Sequence, residues 1–117
     1  MTSNPYIEQL TQSLAELNPY LVLLFGSYAY GQPHEDSDLD ILVVTNDEFI
    51  PSDFNAMNEI YLNISRKIRP INQQIAIDLI VHTKPMYEKF IEINSYFAQE
   101  ITTKGVVLYE RFNKTVA

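Results

Sequence analysis

The side chains best suited to chemistry are carboxylates set near a glycine turn. Asp38 and Asp40 stand two apart at the head of an apolar run, Ile41–Val44, that reads as a strand. Side chains alternate across a strand, so these two aspartates share one face while Leu39 enters the other. Asp78 lies in a second apolar run, Ile75–Val81, and Gly26-Ser27 directly follows a third, Leu21–Phe25. A glycine at the end of a strand lets backbone amides and a serine hydroxyl face an anionic group. Two aspartates on one face, completed by a third from a neighbouring strand, can hold one or two divalent ions. Such a metal pair, about 4 Å apart, stabilises the attacking and leaving oxygens of an in-line phosphoryl displacement. Each piece alone has an ordinary explanation. Gly26-Ser27 could be a plain turn, Asp36-Ser37-Asp38 could be local turn chemistry, and Asp78 could face solvent. Together they point to a cation-holding phosphate site.

The elements that must position these residues alternate between helix and strand. Asn4-Pro5 starts a helix with Ile7, Leu10, Leu14 and Leu17 on its apolar face, and Asn18-Pro19 stops it. Leu21–Phe25 is continuously apolar and is expected to be buried on both sides. Tyr28-Ala29-Tyr30 can make a short helical turn ending at Gly31, before the loop Gln32–Ser37. Ser52-Asp53 caps a long helix whose expected buried stripe is Phe54, Met57, Tyr61, Ile64 and Ile68, with Pro70 as its end. In the Ile75–Val81 strand, Ile75, Ile77, Leu79 and Val81 take one face, and Ala76, Asp78 and Ile80 the other. Pro85 begins a further helix with Met86, Phe90 and Ile93 on one face and a break near Asn94-Ser95. The pattern then runs to Lys104-Gly105, Val106–Tyr109 is a last short strand, and Asn113–Ala117 is expected to fray. The fold class expected is α+β (α/β), a small mixed sheet flanked by helices, with residues 1–117 as a single domain.

The formal net charge of −7 argues against a surface that coats nucleic acid, which needs clustered Lys and Arg. A nucleotide can still bind where divalent cations mediate. The chain has no cysteine, so a metal must be held by oxygen or histidine, which favours magnesium or manganese. No apolar run reaches the roughly 20 residues of a membrane span, and the N-terminus is not signal-like, so a cytoplasmic protein is expected. His34 and His82 have no spacing that marks a metal pair or catalytic dyad. Ser27 has no recognisable histidine base and reads as a phosphate contact. Tyr28, Tyr30, Tyr61, Tyr87, Tyr96 and Tyr109 suit base stacking, the core or an interface equally.

Gly26-Ser27-Tyr28-Ala29-Tyr30-Gly31, followed by Asp36-Ser37-Asp38-Leu39-Asp40-Ile41-Leu42-Val43, resembles the G-S-x-A-x-G and S-D-x-D-hydrophobic signature of the DNA polymerase β-like nucleotidyltransferases. The small size is similar to that of the minimal nucleotidyltransferases, the MntA-like antitoxins of HEPN/MNT toxin–antitoxin pairs. The resemblance implies a metal-dependent transferase that moves a nucleoside monophosphate, AMP from ATP, to a hydroxyl with release of pyrophosphate. It implies that Gly26 and Ser27 hold the nucleoside triphosphate and that Asp38 and Asp40 bind two magnesium ions, with manganese as the alternative. Asp78 is implied to bind the second metal and to help activate the acceptor. The acceptor implied is a tyrosine of a HEPN-domain partner, which the modification silences. Two alternatives stay open: a non-catalytic antitoxin that neutralises its partner by contact, and a transferase with a small-molecule or nucleic-acid acceptor. Self-association is compatible with either. One departure is Tyr30, where many small members carry arginine.

Overall fold

The computed structural model describes residues 4–31, 33–34 and 36–111. The expected fraying of Asn113–Ala117 lies outside these residues. The chain runs α1 (Pro5–Ala15), β1 (Leu21–Phe25), α2 (Ser27–Tyr30), β2 (Leu39–Val44), α3 (Phe54–Lys67), α4 (Arg69–Asn72), β3 (Ile77–His82), α5 (Lys84–Ile93), α6 (Tyr96–Lys104) and β4 (Val106–Glu110). The four strands form one mixed sheet in the order β3-β2-β1-β4. β1 is antiparallel to both neighbours, and β2 and β3 are parallel.

The alternation of side chains divides the core in two. On one face Val22, Leu24, Leu39, Ile41, Val43 and Val81 pack with Ile7, Leu10 and Leu14 of α1, Ile64 of α3 and Ile71 of α4. On the other, Leu21, Leu23, Phe25, Leu42 and Val44 meet Ile101 of α6 and the half-buried Tyr87 and Phe90 of α5. All five residues of β1 are buried, as expected for a central strand covered on both faces. Asp40, Asp78 and His82 fall by parity on the second face, the one α5 and α6 pack against.

Capping explains where the helices begin. The Asn4 carboxamide accepts the Tyr6 N–H at 2.8 Å, Asp53 accepts the Ala56 N–H at 2.8 Å, and Ser95 accepts the Ala98 N–H at 3.1 Å. The long helix keeps most of the expected stripe. Met57, Ile64 and Ile68 face the core as expected, Ile60 joins them, and Phe54 and Tyr61 are exposed. Phe54 occupies the first helical position and is exposed there. Leu17 and Ile93 are exposed for a similar reason, because each lies outside or at the end of its helix. Pro70 does not end the long helix. That helix stops at Lys67, and Pro70 sits in the first turn of α4, where its missing N–H costs no hydrogen bond. The third strand is shifted to Ile77–His82, since residues from Arg69 to Ile75 fold into α4 and the turn after it.

Candidate active site

Strand register brings the acidic residues together. In the parallel pair Asp40 lies opposite Asp78, and in the antiparallel pair Asp40 lies opposite Phe25. Partners across a ladder share a face, so Phe25, Asp40 and Asp78 form a row across three strands. Asp78 is exposed and Asp40 half-buried, at the end of the sheet that α5 and α6 leave open. Asp38 stands just outside β2 and is exposed, two residues from Asp40. The turn before it is closed reciprocally: Ser37 Oγ accepts the His34 N–H at 2.9 Å, and the Ser37 N–H donates to the His34 carbonyl at 2.8 Å. His34 is exposed on this loop.

The glycine turn is built against the same row. Gly26 has φ 75° and ψ −162°, a backbone region open essentially to glycine alone. A Cβ placed there would fall 1.9 Å from Asp40 Oδ2 and 2.8 Å from its Cγ. The missing side chain of Gly26 is therefore the space the Asp40 carboxylate occupies. The Gly26 carbonyl accepts the N–H groups of Ala29 and Tyr30, each at 2.9 Å, which starts the single turn of α2 at Ser27. Gly31, at φ 86°, ends that turn in the left-handed region.

Electrostatics agree with this placement. The Asp40 carboxyl is pushed up to about 6, first by burial, then by the negative charges of Asp78 and Asp38. Asp40 is thus held where two neighbouring carboxylates repel its charge. Among the described residues no group of three or more His, Cys, Asp or Glu side chains is placed to hold a metal ion by itself. Magnesium does not require one. It is usually held by one or two carboxylates, its remaining ligands being waters and substrate phosphates. The oxygen donors and the raised Asp40 pKa fit a hard divalent cation whose coordination shell is completed by a nucleotide.

The structure brings Gly26, Asp40 and Asp78 into one place, sets Ser27 beside them on α2, and leaves Asp38 at the rim. His82 is elsewhere. It points into the aromatic layer with Tyr87 and Phe90, and its Nδ1 is buried without a hydrogen-bond partner among the described residues. Two residues near the site had no sequence signal: Phe25, which lies beside Asp40, and Lys104, whose ammonium lies 5.8 Å from the centroid of the Tyr30 ring. Phe25 is an ordinary apolar strand residue until the register is known, and Lys104 is distant in the chain from every motif.

A sheet of this topology, with paired aspartates facing a glycine turn, defines a nucleotidyltransferase-like protein. The profile of the family described as "Polymerase beta, Nucleotidyltransferase" matches residues 8–114, and the chain belongs to this family. It is 31% identical over 88 residues to a Methanocaldococcus jannaschii protein named as a protein adenylyltransferase, covering 75% of this chain and 76% of that one. Its fold is similar to the crystal structure of a Sulfolobus solfataricus protein named as a nucleotidyltransferase, with a TM-score of 0.59 and 22% identity over 92% of this chain and 83% of the other. A toxin–antitoxin crystal structure with AMP-PNP shares the fold at a TM-score of 0.53, with 24% identity over 86% of this chain and 73% of that one. The family and the adenylyltransferase relative make the chain a transferase enzyme. Among the described residues, no helix is long and apolar enough to cross a membrane.

Proposed function

We propose that this protein transfers AMP from ATP to a tyrosine hydroxyl of a HEPN-domain toxin and so acts as its antitoxin, with residues 1–117 working as one minimal transferase domain. The observation that carries the catalytic part is the row of Asp40 and Asp78 on one face, with Gly26 packed against the Asp40 carboxylate. The adenylyltransferase relative supports AMP as the transferred group, and the AMP-PNP toxin–antitoxin neighbour supports the partner class.

In this reading Asp38 and Asp40 would hold two magnesium ions, with Asp78 joining them at the second. Magnesium held there would supply Lewis acidity toward the α-phosphate and the acceptor oxygen. The Gly26-Ser27 turn binds the triphosphate through backbone N–H groups and the Ser27 hydroxyl. Asp78, exposed at the sheet edge, orients the acceptor hydroxyl. The acceptor oxygen bonds to the α-phosphorus, the bond from that phosphorus to the bridging oxygen breaks, and pyrophosphate leaves with its electron pair. The hydroxyl proton passes to solvent by way of the carboxylate edge.

The test uses α-labelled ATP, magnesium and a purified candidate HEPN protein. Label should appear on the partner's tyrosine with the wild-type chain and disappear with Asp38→Ala or Asp40→Ala. Full neutralisation of the partner by both variants, with no label on it in the wild-type reaction, would instead establish neutralisation by contact.

A further inference from the structure

Lys104 is the last residue of α6, and the chain passes from it straight into β4. The crossing is tight. A Cβ on Gly105 would lie 2.3 Å from the Ile101 carbonyl oxygen and 3.3 Å from that of Leu24. The next residue, Val106, pairs with Leu24. The backbone of Lys104 is therefore pinned beside the end of β1, where Phe25 leads into Gly26. From there its Nζ reaches over the Tyr30 ring. Tyr30 in turn donates its N–H to the Gly26 carbonyl, and its hydroxyl is raised in pKa chiefly by burial and also by the charges of Glu100 and Asp40.

Two other lysines in contact with the body of the protein have carboxylate partners: Lys67 pairs with Glu16 and Lys84 with Glu48. Among the described residues Lys104 makes no ion pair. An ammonium over one ring face makes a single cation–π contact, whereas phosphate oxygens offer it charge-assisted hydrogen bonds. The need for such a cation follows from the charge of the molecule. A triphosphate must approach three carboxylates on a chain of net charge −7. Lys104 also lines, with Phe97, Glu100 and Thr103, a hollow of about 480 Å³ along α6.

Resting on the transferase reading above, we propose that Lys104 is a phosphate-binding residue of the nucleotide site, its ammonium contacting the non-transferred phosphates of the triphosphate from the Tyr30 side of the glycine turn. Released pyrophosphate is held by the same contact until it departs. The ring of Tyr30 is the resting place that keeps the lysine aimed at the site before nucleotide arrives.

Calorimetric binding of magnesium–AMP-PNP and of AMP to wild type, Lys104→Ala and Lys104→Arg tests this. Loss of one charge-assisted contact should weaken AMP-PNP binding by about tenfold or more in Lys104→Ala. AMP binding should change by less than about twofold, and Lys104→Arg should retain most of the AMP-PNP affinity. Thermal unfolding of the same variants reports any purely structural role. A lowered melting temperature with unchanged AMP-PNP affinity would overturn the proposal, as would equal weakening of AMP and AMP-PNP. In both cases wild-type binding and transfer would leave the transferase reading standing. Failure of the wild-type chain to bind magnesium–AMP-PNP would remove both.

Discussion

Asp40 is the residue on which the site turns, and its surroundings make it unstable as well as useful. Phe25 lies beside it on one side, Asp78 repels it on the other, and the missing side chain of Gly26 leaves room for its carboxylate. Its carboxyl titrates near 6 in the folded chain against 3.8 when unfolded. A raised folded value means that the associated stability is full below about pH 3.8 and is lost as pH rises through about 6. In the absence of metal, Asp40→Asn should therefore raise the melting temperature at pH 7 more than at pH 4, while abolishing transfer. Equal shifts at both pH values would contradict the repulsion described here. Gly26→Ala should fail differently. The new methyl group displaces the carboxylate and the backbone cannot relax, so the variant should lose transfer and about 1–3 kcal/mol of stability in denaturant unfolding.

At the scale of elements, the sheet is sorted by face. The α1, α3 and α4 side is almost wholly apolar, whereas the α5 and α6 side carries the acidic row at one end and His82 near the other. His82 lies in an aromatic layer with Phe90 at 5.1 Å and Tyr87 at 6.3 Å between ring centroids. Burial lowers its pKa from 6.5, so the folded chain resists protonating it. Stability is then full above about pH 6.5 and falls as pH drops through the lowered folded value. His82→Leu should flatten this acid limb of the stability profile, measured by thermal unfolding from pH 7 to pH 5. An unchanged acid limb would show that His82 does not set it.

At the scale of the whole molecule, Asp40 and Asp78 lie at one end of the sheet, where the proposed function has a cation and a nucleotide complete them. Ligand that binds only the folded state stabilises it by mass action, by about 2.7 kcal/mol at a hundredfold excess over Kd. ATP with magnesium should therefore raise the melting temperature, neither alone should match the pair, and a chelator should reverse the gain. Asp38→Asn, at the exposed rim, should reduce the shift while leaving the ligand-free melting temperature nearly unchanged. A shift with ATP and chelator as large as with ATP and magnesium would separate nucleotide binding from the carboxylates.

The local pattern of residues determined a good deal. Alternation in Asp38-Leu39-Asp40 and in Ile77-Asp78-Leu79 fixed which side chains share a face, because a strand allows only two. Asn4 and Asp53 marked helix starts, because their side chains satisfy amides that the first turn leaves free. The apolar run of β1 announced a strand covered on both sides. What no local pattern could decide was register and rotation. That Asp40 meets Asp78 depends on the parallel pairing of β2 with β3, and that Gly26 is filled by an aspartate oxygen depends on which strands lie side by side. The same limit explains Phe54 and Tyr61, whose helical spacing fits a buried stripe although the helix turns them to solvent. Periodicity states that a helix has an apolar face, but packing against the sheet selects which residues use it. Lys104 belongs wholly to this second kind of information, since only the tight passage of α6 into β4 carries it to the glycine turn.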